Sequence, residues 1–172
     1  MRRFFWYLGV LLALCVTAGR AADEDAAIRD ARAALERRDG REALRCLDQL
    51  PAAQREAPAL AVLRMEALYL AGQSTEGDAV AARLSAAAPA DGKLSYSAGM
   101  AMARTGRYDQ AESFLSFALA ASPGSFPVLY NLGVAATFAK HYERAREVLE
   151  AALRQQPASV DVLYSLAYVH QA

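Results

Sequence analysis

Two cysteines, two histidines, two lysines and one tryptophan in 172 residues leave little material for reactive chemistry. Cys15 falls in an apolar run at the N-terminus, so Cys46 is the single thiol downstream and no internal disulfide framework is available. Cys46 shares helical spacing with Ala43, Leu47 and Leu50, the setting of a small buried hydrophobe, with an intermolecular disulfide or a reactive thiol as the alternative. His141 and His170 have no histidine four residues away and no cysteine cluster, so neither belongs to a zinc or haem site. A glycine-rich phosphate loop and a Gly-x-Ser-x-Gly elbow are also missing. Neither a cofactor, a metal nor an enzymatic activity is expected. Excess charge of one sign is lacking too: 19 basic residues face 19 acidic ones. Setting aside Arg2, Arg3 and Arg20 leaves a mildly acidic body without the cationic face that a nucleic-acid partner requires. Glu24-Asp25 and Asp109 with Glu112 read as solvated helix starts, where the helix dipole favours negative charge. Arg29, Arg32, Arg37, Arg38 and Arg41 alternate with Glu36, Asp39 and Glu42 and read as a solvated face.

What the chain does have is apolar surface, 55% of its residues, with alanine prominent. Alanine is the best helix former and lets helices approach closely. At the N-terminus Met1-Arg2-Arg3 precedes an apolar or small run from Phe4 to Ala18. That run is shorter than the roughly 20 residues of a membrane-spanning helix but suits the core of a secretory signal. Cleavage after Ala21 or after Gly19 satisfies the small-x-small rule. Leu14 before Cys15 argues against a lipoprotein signal, whereas Phe4-Phe5-Trp6-Tyr7 keeps an uncleaved membrane anchor open. In each case the body of the chain lies outside the cytoplasm. The expected location is periplasmic or secreted, with anchorage to an inner membrane, facing the periplasm, as the alternative. The Arg-rich, Lys-poor, Ala-rich composition suits a bacterial source.

Internal similarity organises the rest. A shift of 34 residues brings Gly99 onto Gly133, Tyr108 onto Tyr142, Ala111 onto Ala145, Leu115 onto Leu149, and Ala118-Leu119 onto Ala152-Leu153. Pro89, Pro123 and Pro157 recur at that interval, and Leu132-Gly133 steps on to Leu166-Ala167. Each unit reads as two helices. Residues 91–105 form the first and stop at Gly106, which suits a left-handed cap; residues 107–121 form the second. Ser122-Pro123-Gly124 breaks the chain before the plan repeats over 125–156. Small residues at Gly99, Ala111, Ala118, Gly133, Ala145 and Ala152 permit close backbones, and Tyr108, Leu115, Tyr142 and Leu149 fill the space left.

Tyr130-Asn131-Leu132-Gly133, followed by Tyr142, Ala145, Leu149, Ala152 and Pro157, resembles the tetratricopeptide-repeat consensus. Leu129, Ala136 and Lys140 depart from it, where Trp, Tyr and Gly are common. The resemblance implies an all-α solenoid of antiparallel helix hairpins with right-handed superhelical stacking. It divides the chain into a leader (1–21), two diverged hairpins (22–90), two clear repeats (91–157) and the first helix of a further, incomplete repeat or a capping helix (158–172). The diverged pair keeps Gly72 and Pro89 in phase, sets Gly77 and Ala81 where later units have Ala and Leu, and is read with a register off by a few residues.

In this family the first helix of each unit lines the concave face. The resemblance therefore points to a groove made by Tyr96, Tyr130 and Tyr164, with Ser97, Asn131 and Ser165 beside them and Met100, Val134 and Tyr168 one turn on. A tyrosine ladder provides stiff contact area with hydrogen-bonding tips; the alternative is that these rings only complete inter-repeat packing. Asn131 matches one position of the family's carboxylate clamp, but its basic companions are missing and no clamp is expected. Residues 160–172 are apolar on several sides, which points to capping by a partner, to self-association through this helix, or to a chain that continues in a longer natural product. The expected function is an exported scaffold or adaptor gripping a peptide or protein in the concave groove without catalysis. The alternative is a subunit or fragment of a larger envelope assembly complex, stable only with its partner.

Overall fold

A computed structural model describes residues 22–172, so the expectations about the leader fall outside it. Every regular element among the described residues is helical: α1 (22–36), α2 (Gly40–Asp48), a single turn α3 (Ala52–Arg55), α4 (Pro58–Leu70), α5 (Ser74–Ala87), α6 (Gly92–Arg104), α7 (Tyr108–Ala121), α8 (Phe126–Phe138), α9 (Tyr142–Gln155) and α10 (Val160–Gln171). A 3-10 turn, Ala88–Ala90, links α5 to α6. Consecutive helices pair as hairpins, α4 with α5, α6 with α7 and α8 with α9, and each pair packs on the next.

Local chemistry sets the helix starts. Asp91 accepts hydrogen bonds from the Lys93 and Leu94 amides at 2.9 and 3.0 Å, and Asp39 accepts one from Glu42; both satisfy donors that a helix start leaves unpaired. Pro58 and Pro127 occupy first-turn positions, where the missing N–H costs nothing. Each hairpin turns through one left-handed residue: Arg38, Gly72, Gly106 and Lys140, with φ of 60°, 81°, 78° and 66°. Glycine adopts that conformation without strain, while Arg38 and Lys140 carry a side chain through it.

These four turns are 34 residues apart, and so are the helix starts. First helices begin at Pro58, Gly92, Phe126 and Val160, second helices at Gly40, Ser74, Tyr108 and Tyr142. The register expected to be off by a few residues upstream of residue 91 is therefore in step. What differs there is how volume is divided between paired helices. A Cβ on Gly133 would lie 2.6 Å from Leu149 Cγ, and one on Gly99 would lie 2.7 Å from Leu115 Cγ. In those units the first helix is small and the second bulky. One unit earlier the same positions hold Met65 and Ala81, both buried in the same core. The bulky partner has changed sides. In the first unit they hold Ala31 and Leu47, again small against bulky.

Gly77 follows the same logic at a different contact. A Cβ there would meet the Tyr69 ring at 2.6 Å, so the missing side chain makes room for an aromatic ring between α4 and α5. Gly40 lets α2 approach the end of α4, since a Cβ would lie 2.4 Å from the Ala67 carbonyl oxygen. The core that results runs from Val62 to Val169 through all later pairs, with Met102, Leu115, Leu132 and Leu149 fully enclosed. Cys46 lies buried in a smaller cluster with Ala27, Ala31, Leu47 and Leu50, and burial is the main cause that pushes its thiol pKa up.

A branched side chain at position 133 tests this packing. Gly133→Val should lower unfolding stability by about 1–3 kcal/mol, the cost of overfilling a close-packed contact, measured by urea denaturation. An unchanged midpoint would mean that α8 and α9 do not meet as closely as described.

Candidate partner-binding groove

The first helices α1, α4 and α6 stand side by side and enclose an open cavity of about 890 Å³. Its apolar lining comes from Leu35 on α1, Val62 and Leu63 on α4, and Leu94 and Met100 on α6. Arg32, Glu36 and Lys93 supply charge, and Tyr96 and Ser97 supply hydroxyls. A second hollow of about 790 Å³ lies where the start of α6, the end of α7 and the start of α8 converge, and it shares Tyr96 and Ser97.

Glu66 also lines the larger cavity and is 2% exposed, although it carries a carboxylate. Arg104 holds it with a two-pronged contact: Nε donates to one oxygen and Nη2 to the other, both at 2.6 Å. Pairing of this kind compensates a buried carboxylate and fixes the guanidinium plane; the bond to Glu66 raises the Arg104 pKa further. Arg38 then donates to the Arg104 backbone carbonyl at 3.1 Å. A polar strap thus joins the first three units: Arg38 from the first, Glu66 from the second, Arg104 from the third. The arginines near the N-terminus are accordingly more than a solvated face, because Arg32 lines the cavity and Arg38 is part of the strap.

The nine residues expected along the groove are placed unequally. Tyr96, Ser97 and Met100 line the larger cavity. Asn131 connects to them: its side-chain amide donates to Tyr96 Oη at 3.0 Å and to the Pro127 carbonyl at 2.8 Å. Tyr130 is half-buried and stacks on Phe126 with ring centres 6.2 Å apart; Val134 is also half-buried. Ser165 donates to the Asp161 carbonyl of its own helix. Tyr164 and Tyr168 are 75% and 53% exposed. Of the repeat positions, Gly99, Ala111, Ala118, Gly133, Ala145 and Ala152 are buried, whereas Tyr108 and Tyr142 are half-buried.

Sequence reasoning missed Val62, Leu63 and Glu66. The signal was available: one repeat back from Tyr96, Ser97 and Met100 lie these three residues, and one further step from Glu66 lies Arg32. It was masked because tyrosine gives way to valine and methionine to a charged pair. Arg104 was missed for a different reason. Its nearest in-phase relatives are the apolar Leu70 and Phe138, and the charged one, Glu36, lies two repeats back.

Outside the groove, the edge formed by the hairpin turns carries two further contacts between units. Arg107 lies over the Tyr69 ring, 3.7 Å from its centre, and donates to Ser74 Oγ. Burial, followed by the bond to Asp78, pushes the Tyr69 hydroxyl up to about 12. Asp109 and Glu112 are not merely solvated helix starts, since both face His141: Glu112 at 2.7 Å from Nδ1 and Asp109 at 3.7 Å from Nε2. The hydrogen bond to Glu112 is the first cause of a raised His141 pKa.

This architecture is that of a tetratricopeptide-repeat solenoid, and residues 102–167 match the family model described as tetratricopeptide repeat. Solved structures of MamA share the fold. The chain is 25% identical to MamA MSR-1, with a TM-score of 0.63 and coverage of 88% of this chain and 84% of that one. For MamA AMB-1 the values are 23%, 0.62, 90% and 82%. For MamA from Desulfovibrio magneticus RS-1 they are 21%, 0.61, 87% and 84%. No curated protein matches the chain.

Two measurements probe these contacts. Arg104→Met strips Glu66 of its partner and should cost about 1–3 kcal/mol of stability in denaturant titrations. Adding Glu66→Gln should recover most of that loss; no recovery would assign the cost to something other than the stranded carboxylate. In NMR titrations His141 should titrate above an ordinary imidazole, and Glu112→Gln should bring it down. Because the folded pKa is raised, the stabilising contribution is fully present below the unfolded value and fades as pH rises through the folded one.

Proposed function

We propose that the chain is an exported, non-catalytic interaction scaffold that holds a peptide or protein segment in the cavity between α1, α4 and α6. The observation that carries this reading is the cavity itself, an open apolar trough on the first helices with side chains of both charges around it. Its size, about 890 Å³, accommodates several side chains of a bound segment. Tyr96, Ser97 and Met100 make contact from α6, and the Asn131–Tyr96 bond continues the surface toward Tyr130 and Val134 on α8. Tyr164, Ser165 and Tyr168 complete the proposed surface on α10. Glu66 and Arg104 hold the second and third units at fixed spacing, so the trough is organised before a ligand arrives. The solenoid fold of the MamA structures is compatible with such a role.

The leader supports export to the periplasm or beyond, with an uncleaved segment anchoring the chain to the inner membrane as the alternative. No described helix is long and apolar enough to cross a membrane. A second reading, a subunit of a larger envelope assembly that is stable only with its partner, is favoured by the exposed apolar side chains of α10. Self-association through that helix belongs to the same reading.

Site-specific photo-crosslinking tests the groove. A crosslinking side chain at Ser97 should capture a discrete protein adduct in cells, whereas one at the exposed Glu150 on α9 should not. Met100→Glu, which sets a charge in the apolar trough, should abolish the Ser97 adduct while the helical circular dichroism stays unchanged. Equal labelling from positions 97 and 150 would remove the groove from the account.

A further inference from the structure

Charges of both signs line the trough between α1, α4 and α6, but they are not equally available. Two of its carboxylates are spent inside the fold. Asp91 accepts the Lys93 and Leu94 amides at the start of α6, and the buried Glu66 is held by Arg104. Arg32 and Lys93 are exposed, and neither side chain has an ion-pair partner among the described residues. Glu36, one turn beyond Arg32 on α1, is the one carboxylate of the lining left uncommitted.

A guanidinium presents N–H donors on more than one edge. Glu66 takes the edge formed by Nε and Nη2 of Arg104, which leaves the Nη1 end open on a side chain that is 52% exposed. The buried carboxylate fixes the guanidinium plane, so the open end is prepared for a second planar acceptor. Arg32 stands on α1 in phase with Glu66 on α4 and lines the same cavity. Glu66 thus has one arginine bonded to it from α6 and another, unbonded, in register on α1. One carboxylate for two guanidinium groups leaves them short of an anion. Glu36 does not fill the place, since no hydrogen bond or ion pair joins it to either arginine.

Building on the groove reading, we infer that the trough selects a segment of another protein in which an aspartate or glutamate side chain sits within an apolar stretch. Its carboxylate bridges Nη1 of Arg104 and the guanidinium of Arg32, while the flanking apolar side chains lie on Leu35, Val62, Leu63 and Met100. Glu66 acts as a positioning residue, through Arg104. The recognised group is a side chain, so no chain terminus is needed. The leader cannot supply it, because residues 1–21 contain arginines but no aspartate or glutamate. Glu36 opposes the incoming charge from one turn beyond Arg32, and so tempers the preference for an acid.

The experiment uses the full chain and capped octapeptides of leucine and glycine with one central glutamate, glutamine or lysine, labelled for fluorescence anisotropy. Saturable binding of the glutamate peptide is expected, with the glutamine peptide about tenfold weaker or more and the lysine peptide weaker still. Arg32→Gln should erase most of that preference, and Glu36→Gln should tighten the glutamate peptide. Both residues are exposed, so circular dichroism should show an unchanged fold. Glu66→Gln combined with Arg104→Met removes the pair without stranding a charge, and should bind the glutamate and glutamine peptides alike. Equal wild-type affinity for those two peptides overturns the inference, and the groove reading survives if Met100→Glu abolishes both. Absence of saturable binding by any peptide also overturns it; the groove is then judged by the Ser97 adduct, which is independent of ligand charge. So does self-association in sedimentation that both Arg32→Gln and Asp161→Asn relieve, since the trough would then take α10 of a second copy.

Discussion

Every hairpin of this solenoid depends on the volume shared between two helices at one crossing. Helices approach closely only where one contributes little and the other fills the gap. Gly99 with Leu115 and Gly133 with Leu149 settle the matter in one direction, and Met65 with Ala81 in the other. Because the sum is kept while its division changes, the units stack with the same 34-residue step from α2 to α10. The groove, the turn edge and the exposed apolar side chains of α10 are all located by that step.

The second half of the fold was legible because it repeats identical residue types. Glycine, tyrosine and alanine recurring together leave one interpretation of residues 91–157. The first half was legible only as helices. Its repeat positions carry Met65, Ala81 and Gly77, which break a search for like residues although Met65 and Ala81 stay buried in the shared core. Gly77 read as a departure from pattern, yet it makes room for the Tyr69 ring, and Arg107 from the next unit covers that ring in turn. A comparison of summed volumes across paired positions would have recovered what comparison of residue identity lost.

The candidate site shows a sharper version of the same limit. Tyr96, Ser97 and Met100, which line the cavity, were named because family resemblance identifies the concave helix and periodicity supplies the offsets. Glu66 and Arg104 were hidden because an ion pair made across two units has no period. Glu66 lies one step from Met100 and two from Val134, apolar neighbours that disguise a buried carboxylate. Its role follows only when 2% exposure and the two 2.6 Å contacts are seen together. Asp109 and Glu112 were treated as solvated for a related reason, since the histidine they face belongs to the next unit.

The bond from Arg38 to the Arg104 carbonyl reaches across 66 positions, almost two full repeats. Stacked solenoids ordinarily behave as chains of nearest neighbours, each unit yielding independently of those beyond the adjacent one. A brace that skips a unit breaks that rule at one end. The first three units are thereby cross-linked at one end of the solenoid, next to the trough that Glu66 and Arg104 also line.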